Sequence, residues 1–157
     1  MPNHVINCLS IKGPKRELNK LKKAVTSSEK EGVIFDFDKI IPEPEYEIPE
    51  SDWYDWRIEN WDTKWNSYGN KLITFDGELT FWFKTAWSAP FKVINTLVEN
   101  YSDLQIEHRY ADEDYGSNTN CDGEKQAEAL WDDYYEAENF DVYKKKAIKK
   151  DVEGWLK

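Results

Sequence analysis

The chain has 157 residues and a formal net charge of −10, enough length for one domain with a real hydrophobic core. No apolar run approaches the ~18 residues of a membrane span, and residues 1–13 lack the basic-then-apolar order of a signal peptide. We therefore expect a cytoplasmic protein. Two cysteines, Cys8 and Cys121, fit no metal-binding spacing and do not indicate a disulfide scaffold.

The charge is distributed unevenly along the chain. Residues 1–30 carry a net charge of +5, whereas residues 41–140 carry −16. The acidic middle argues against duplex DNA as a partner, because phosphates would be repelled. It is compatible with a protein that imitates nucleic acid toward a basic partner. A solvated surface explains the same charge without any partner, and both interpretations stay open.

The first part of the chain predicts two strands and a helix. Residues 4–11 alternate loosely between apolar and polar side chains, as in a strand. Residues 15–28 have apolar side chains at helical spacing and a lysine-rich outer face. Residues 33–37 predict an edge strand, and three prolines between residues 42 and 49 predict an irregular acidic loop.

Four tryptophans fall within thirteen residues: Trp53, Trp56, Trp61 and Trp65. Tryptophan is enriched at surfaces that bind flat rings or protein partners. Charged and amide residues separate these four rings, which is unusual for a core element. The run therefore predicts part of a binding surface, on one or two short helices.

The clearest local signal is a hairpin. Residues 71–75 and 79–83 are strand-like and flank an Asp76–Gly77 pair, which is typical of a tight turn. A helix should follow from Ser88, with Ser88 as its N-cap, and residues 104–110 alternate as another strand.

The order strand, helix, hairpin, helix, strand predicts an α+β fold of the ferredoxin-like, or split βαβ, type. We expect a four-stranded antiparallel sheet with two helices on one face. The ferredoxin-like domain should span residues 1–122, with an aromatic insertion at 38–69. Residues 123–157 should add an acidic helix and a basic tail, as a helical extension packed on or extending from that domain.

This fold places several polar and aromatic residues at one end of the sheet. A helix N-terminus near Ser88 can hold a phosphate, Arg57 and Lys64 add positive charge, and tryptophan rings can stack on a base. Trp65 and Trp87 can equally be core rings. The predicted ligand-binding residues are Asn3, His4, Trp61, Thr63, Lys64, Trp65, Thr85, Trp87, Ser88 and Asp112.

His4 and the acids at 112–114 offer a second interpretation of the same end. They could hold a divalent metal, but adjacent acids on a strand point to opposite faces, and solvated carboxylates are the commoner outcome. A structural cross-strand pair of His4 with Asp112 is a third interpretation. We predict no metal, no cofactor and no catalytic residue.

Five segments carry a family resemblance: MPNHVINCLSIKG, FDFDKIIPEP, WRIENWDTKWN, FKTAWSAP and YADEDYGSN. Together they resemble the YubB-type ferredoxin-like proteins of plasmids and bacteriophages, over residues 1–120 or so. The resemblance implies a ferredoxin-like fold and a mobile genetic element as the source. It implies no settled activity.

These observations favour a small binding protein of a phage or plasmid. The first hypothesis is capture of a nucleotide-like molecule, such as a host defence signal. The alternative is an acidic inhibitor that imitates nucleic acid and binds a basic host protein. An enzyme acting on a phosphorylated or nucleic-acid substrate is the least supported, and the oligomeric state stays open.

Overall fold

A computed structural model describes residues 3–29, 32–46, 52–116 and 118–138. The predicted basic tail lies outside these residues. A short 3-10 helix at Phe37–Lys39 accompanies the strands and α-helices of the described part. These are β1 (His4–Lys12), α1 (Lys15–Val25), β2 (Thr26–Glu29), β3 (Gly32–Phe35), α2 (Trp53–Trp61), β4 (Tyr68–Phe75), β5 (Glu78–Ala86), α3 (Phe91–Asn100), β6 (Gln105–Asp112) and α4 (Glu124–Glu138).

The main sheet has four antiparallel strands in the order β4-β5-β1-β6. This is the ferredoxin-like arrangement, so the predicted α+β fold is confirmed. The Asp76–Gly77 hairpin is also present: Phe75 pairs with Glu78, and Gly77 adopts a φ of 76°. Such a left-handed turn residue favours glycine because a Cβ would be strained there.

Helices α1 and α3 cover one face of this sheet. Leu9 and Ile11 of β1 belong to the same buried cluster as Leu21 of α1 and Leu97 of α3. Apolar side chains at three- and four-residue spacing on each helix create this contact. The two helices therefore lie on one face, as predicted.

Helix α4 covers the opposite face. Ile6, Cys8 and Trp82 project from the sheet toward Leu130 and Tyr134 of the helix. The predicted C-terminal helix thus packs on the ferredoxin-like sheet rather than extending away from it. With both faces covered, successive residues of β1 are buried whichever way they point.

Two boundaries predicted between residues 15 and 37 are wrong. Helix α1 ends at Val25 instead of residue 28, because Thr26 turns to an extended conformation and its hydroxyl donates to Lys22 O at 2.6 Å. The next residues form β2, which pairs with β3 in a separate two-stranded sheet. β3 is therefore an edge strand, as predicted, but of this separate sheet, and it ends at Phe35 rather than residue 37.

Side chains fasten this small sheet to the start of β4. Asn70 Oδ1 accepts a hydrogen bond from Phe35 N at 3.0 Å, and Asn66 Oδ1 accepts one from Phe37 N at 3.0 Å. Ser67 Oγ donates to the carbonyl of Phe35. These contacts fix the connection between α2 and β4, which carries three of the ten predicted site residues: Thr63, Lys64 and Trp65.

Candidate functional site at the aromatic end of the sheet

The predicted meeting of chain segments at one end of the sheet is observed. Trp87 N, just after β5, donates to Asn3 O at 2.8 Å. Glu113 N, just after β6, donates to His4 O at 3.0 Å. The start of β1 thus lies between the ends of β5 and β6, and the α2–β4 connection approaches from the side of β5.

Trp61, the last residue of α2, and Thr63 of that connection are interior residues. Trp61 is 1% exposed, lies in the core beneath α1 and α3, and donates from Nε1 to Ile41 O at 2.9 Å. Thr63 is fully buried and its hydroxyl donates to Ala86 O at 2.8 Å. Both were predicted to contact a ligand, and in the structure both instead hold the connection against the sheet.

Thr85 and Asp112 are likewise buried and used internally. Thr85 Oγ1 accepts a hydrogen bond from Asn7 Nδ2 at 3.0 Å. The Asp112 carboxylate accepts from Gly116 N at 2.8 Å and from Asn118 N at 3.3 Å, which closes the loop after β6. Their residue types suit a ligand, but sequence spacing does not reveal that Asn7 already binds Thr85 and that the loop after β6 already binds Asp112.

The predicted phosphate position at the start of α3 is also filled. Helix α3 begins at Phe91 with Pro90 as N-cap, and the Ser88 hydroxyl makes no capping bond. The Asp62 carboxylate accepts from Lys92 N at 2.8 Å instead. An internal anion therefore holds the helix N-terminus, where the partial positive charge favours a carboxylate. The prediction that Ser88 caps the helix is wrong, because its hydroxyl donates to Ala89 O instead; its role in ligand binding stays a prediction.

Three other predicted residues form an accessible aromatic cluster. The Lys64 ammonium lies 4.7 Å from the ring centroid of Trp65 and 5.0 Å from that of Trp87. Tyr54 meets Trp87 edge to face at 6.4 Å, and these two rings are 40% and 39% exposed. A cation over a ring face is attracted by the π electrons, which fixes the two indoles around one ammonium.

Trp87 has an unusual backbone. Its φ of 67° is in the left-handed region, which costs a non-glycine residue about 1–2 kcal/mol. Two hydrogen bonds at 2.8 Å hold it there, from Trp87 N to Asn3 O and from Asn118 Nδ2 to Trp87 O. The strained conformation thus supports a large ring that stays partly in solvent, so core packing alone does not account for it.

Tyr68 belongs to the same cluster and was missed by sequence reasoning. Its hydroxyl lies 2.6 Å from His4 Nδ1, and its ring meets Trp65 edge to face at 6.1 Å. Burial, with a smaller effect of the Glu113 charge, raises the pKa of Tyr68 to about 12. A phenol with so high a pKa keeps its proton at neutral pH, so Tyr68 can donate to His4 Nδ1. The predicted hairpin began at residue 71, three residues too late to include this tyrosine.

We refer to His4, Tyr54, Lys64, Trp65, Tyr68 and Trp87 as the aromatic rim. Ring contacts and cation contacts connect its members in one continuous series. Within the described residues, His4 Nε2 has no hydrogen-bond partner. The rim therefore offers flat ring surfaces, one ammonium and one imidazole nitrogen.

A family of ferredoxin-like domains found in Api92-like proteins matches residues 60–149. The chain belongs to this family. The matched stretch of the Api92-type domain includes the β4–β5 hairpin, α3, β6 and α4, together with most of the aromatic rim. No curated protein and no solved structure is detectably similar to the chain. None of the described helices is long and apolar enough to cross a membrane.

The interpretation of His4 and Asp112 as a structural cross-strand pair is wrong. Asp112 lies opposite Val5 in the register, so its side chain points to the other face of the sheet from His4. Among the residues the structure describes, no three His, Cys, Asp or Glu side chains are grouped as a metal site. The acids after β6 have local roles: Asp114 Oδ2 accepts from Asn3 Nδ2 at 2.8 Å.

Proposed function

We propose that this Api92-type domain is a binding protein whose aromatic rim captures a nucleotide-like molecule. The observation that carries this proposal is Trp87, which holds a partly exposed indole on a strained left-handed backbone. Strain of this kind persists where the surroundings over-determine it, and it clusters at ligand sites. The ring is 39% exposed, and Trp87 follows the end of β5, so neither core packing nor strand formation requires a tryptophan there.

In this proposal, a base stacks on the indole of Trp87 or Trp65. Stacking on an aromatic side chain is worth about 1–3 kcal/mol per base and tolerates any base. The base displaces the Lys64 ammonium from the rings, which frees that charge for the ligand's phosphate. His4 Nε2–H then donates to an acceptor on the ligand, with Tyr68 holding the imidazole in the required tautomer.

Titration calorimetry with mononucleotides and cyclic dinucleotides tests the proposal, with Trp87→Gly as the decisive variant. Glycine adopts a positive φ without strain, so the variant removes the ring while retaining the fold. We expect the wild type to bind and Trp87→Gly to bind about 5- to 150-fold more weakly, the range that 1–3 kcal/mol implies. Tyr135→Ala, which removes a 51%-exposed ring from α4, should bind like wild type. Absence of wild-type binding, or equal binding by Trp87→Gly, contradicts the proposal.

The biological setting extends this proposal. The motif resemblance to plasmid and bacteriophage proteins supports a role in host cytoplasm, where the rim sequesters a nucleotide defence signal. Expression in bacteria protected by a cyclic-nucleotide defence should restore phage plaques. Trp87→Gly should not restore them, and equal restoration by both proteins argues for a role unrelated to the rim.

Helix α4 supports a second candidate, an inhibitor that imitates nucleic acid toward a basic host protein. Glu124, Glu128, Asp132 and Glu136 are exposed on successive turns, spaced four residues apart. Carboxylates in such a row repel one another and attract a basic surface. Binding of this type should weaken steeply with salt and should be lost in a folded Glu128→Gln, Asp132→Asn variant that retains Trp87.

A further inference from the structure

Two lysines converge on one tyrosine at the sheet face covered by α4. The ammonium groups of Lys71 and Lys84 lie 4.2 Å and 5.3 Å from the ring centroid of Tyr134. Residues 41–140 contain seven lysines and arginines against twenty-three acids. Two of those seven cations thus meet at one aromatic ring in an otherwise acidic segment.

Local forces hold this lysine pair together. Lys71 Nζ donates to Tyr134 O, in the last turn of α4, at 3.3 Å. Burial first, and the nearby charge of Lys84 second, lower the pKa of Lys71 to about 8. Two partly desolvated ammonium groups that repel each other are stabilised by any anion that lies between them.

The lysine pair is continuous with the aromatic rim. Lys84 lies directly opposite Tyr68 in the β4–β5 register, and the register shifts between Tyr68 and Lys71. Gly69 sits within this irregularity at a φ of 61°, and a Cβ there would lie 2.7 Å from the Tyr134 hydroxyl. Glycine therefore lets β4 approach Tyr134 closely, and the pairing of Lys84 with Tyr68 places that lysine beside the rim.

We infer that Lys71 and Lys84 form an anion subsite that holds the phosphates of the ligand bound at the aromatic rim. The inference rests on the proposed function, because it assigns the ligand's phosphates a place. Asp62 already accepts from Lys92 N at the start of α3, and Lys64 offers a single charge at the rim, so a di- or polyphosphate needs further cations. The class of ligand is a nucleotide with a di- or polyphosphate, whose base stacks at Trp87 or Trp65.

Three probes separate the subsite from the rim: inorganic pyrophosphate, adenosine and adenosine diphosphate. Each is titrated by calorimetry into the full chain as wild type, Lys84→Gln, Lys71→Gln and Trp87→Gly. The matched control is Lys125→Gln, which removes an exposed lysine of α4. We expect Lys84→Gln and Lys71→Gln each to weaken the binding of pyrophosphate and adenosine diphosphate about tenfold. The binding of adenosine should be unchanged. Lys125→Gln should bind all three probes like wild type.

The outcomes distinguish failure of the subsite from failure of the proposed function. If both lysine variants bind pyrophosphate and adenosine diphosphate like wild type, the lysines serve only as a C-terminal cap for α4, and the subsite is overturned. If pyrophosphate binds through the lysines but adenosine does not bind the wild type, the proposed rim function fails and the anion site stands.

A measurement on the unmutated protein guards against variants that do not fold. Pyrophosphate should shift the side-chain NMR signals of Lys71 and Lys84 and leave those of Lys125 in place. Unmoved signals at both lysines overturn the subsite regardless of how the variants behave.

Discussion

The carboxylate of Asp62 accepts a hydrogen bond from the backbone N–H of Lys92 at 2.8 Å, which joins the end of α2 to the start of α3. Lys92 Nζ of α3 in turn donates to the carbonyl of Glu59 in α2. Asp62 itself adopts a left-handed φ of 63° as the C-cap of α2. One residue therefore ends one helix and caps the next, and it does so immediately before the residues of the aromatic rim.

Replacing Asp62 should separate its two roles. Asp62→Ala loses the cap, which is worth about 1 kcal/mol, and adds left-handed strain of about 1–2 kcal/mol. We therefore expect the free energy of unfolding to fall by about 2–3 kcal/mol. Asp62→Asn tolerates the left-handed conformation and keeps an acceptor oxygen, so its loss should stay under about 1 kcal/mol. Urea unfolding measures both. Equal losses in the two variants would contradict the capping role.

Truncation of Trp61 should cost far more stability than truncation of Trp87, although both were predicted to contact a ligand. Trp61→Ala removes a fully buried ring and should cost about 3–5 kcal/mol. Trp87→Gly relieves left-handed strain while losing a partly exposed ring, so its net change should be within about 1 kcal/mol. Thermal and urea unfolding of both variants provide the measurement. A large loss in Trp87→Gly would show that its ring is a core element.

Glu43 and Arg57 should stabilise the acidic loop through geometry as well as charge. Glu43 accepts two hydrogen bonds from Arg57, at 2.6 Å and 2.9 Å, and the guanidinium lies 5.0 Å from the Trp53 ring centroid. These bonds lower the pKa of the Glu43 carboxyl. Lysine cannot reproduce a bidentate, stacked contact. Arg57→Lys should therefore lower the free energy of unfolding, measured in urea, by about 1–3 kcal/mol.

The exposed pair of Glu17 and Lys20 on α1 is the matched control for that prediction. Its groups are 3.8 Å apart, with 45% and 62% of the side chains exposed, respectively. Such surface pairs contribute about 0–1 kcal/mol, so Lys20→Arg should leave stability unchanged. If Arg57→Lys is equally neutral, the bidentate contact does not stabilise the loop.

His108 should make the protein less stable in acid. Burial lowers the pKa of His108 to about 4 from its ordinary 6.5, and the neutral ring donates from Nε2 to Asn7 Oδ1 at 2.8 Å. Between these values the unfolded chain binds more protons, so this contribution is complete above pH 6.5 and is lost as pH falls toward 4. Up to about 3 kcal/mol should be lost over that window.

Urea unfolding of the wild type and of His108→Gln at several pH values checks the His108 prediction. His108→Gln does not titrate, so its stability should fall less steeply than that of the wild type between pH 6.5 and 4.5. Parallel stability curves for the two proteins would show that other groups cause the acid sensitivity.

Local patterns predicted the strands and helices that their own residues determine. The Asp76–Gly77 turn and the apolar spacing of α1 and α3 were sufficient for the ferredoxin-like fold. The end of α1 was not predictable in this way, because Thr26 leaves the helix to let β2 pair with β3. That pairing depends on contacts with β4, which lies far away in the sequence.

The meeting of chain segments at one end of the sheet was predicted correctly, but the packing of the individual residues there was not. Fold topology was enough to bring the ends of β1, β5 and β6 together. It could not show that Asp62 caps a helix thirty residues later, or that Trp61 points inward while Trp65 remains accessible. The cap and the direction of each tryptophan ring depend on tertiary packing, which cannot be read from residue type and spacing within one segment.

The indole N–H signals of the tryptophans provide the most direct test of nucleotide binding at the aromatic rim. In a nitrogen–proton NMR titration with adenosine diphosphate and cyclic dinucleotides, we expect the signals of Trp65 and Trp87 to move. The signals of Trp61, Trp82 and Trp131, which are buried, should stay in place. Unmoved signals at Trp65 and Trp87 throughout the titration, or movement confined to the buried tryptophans, would contradict the account.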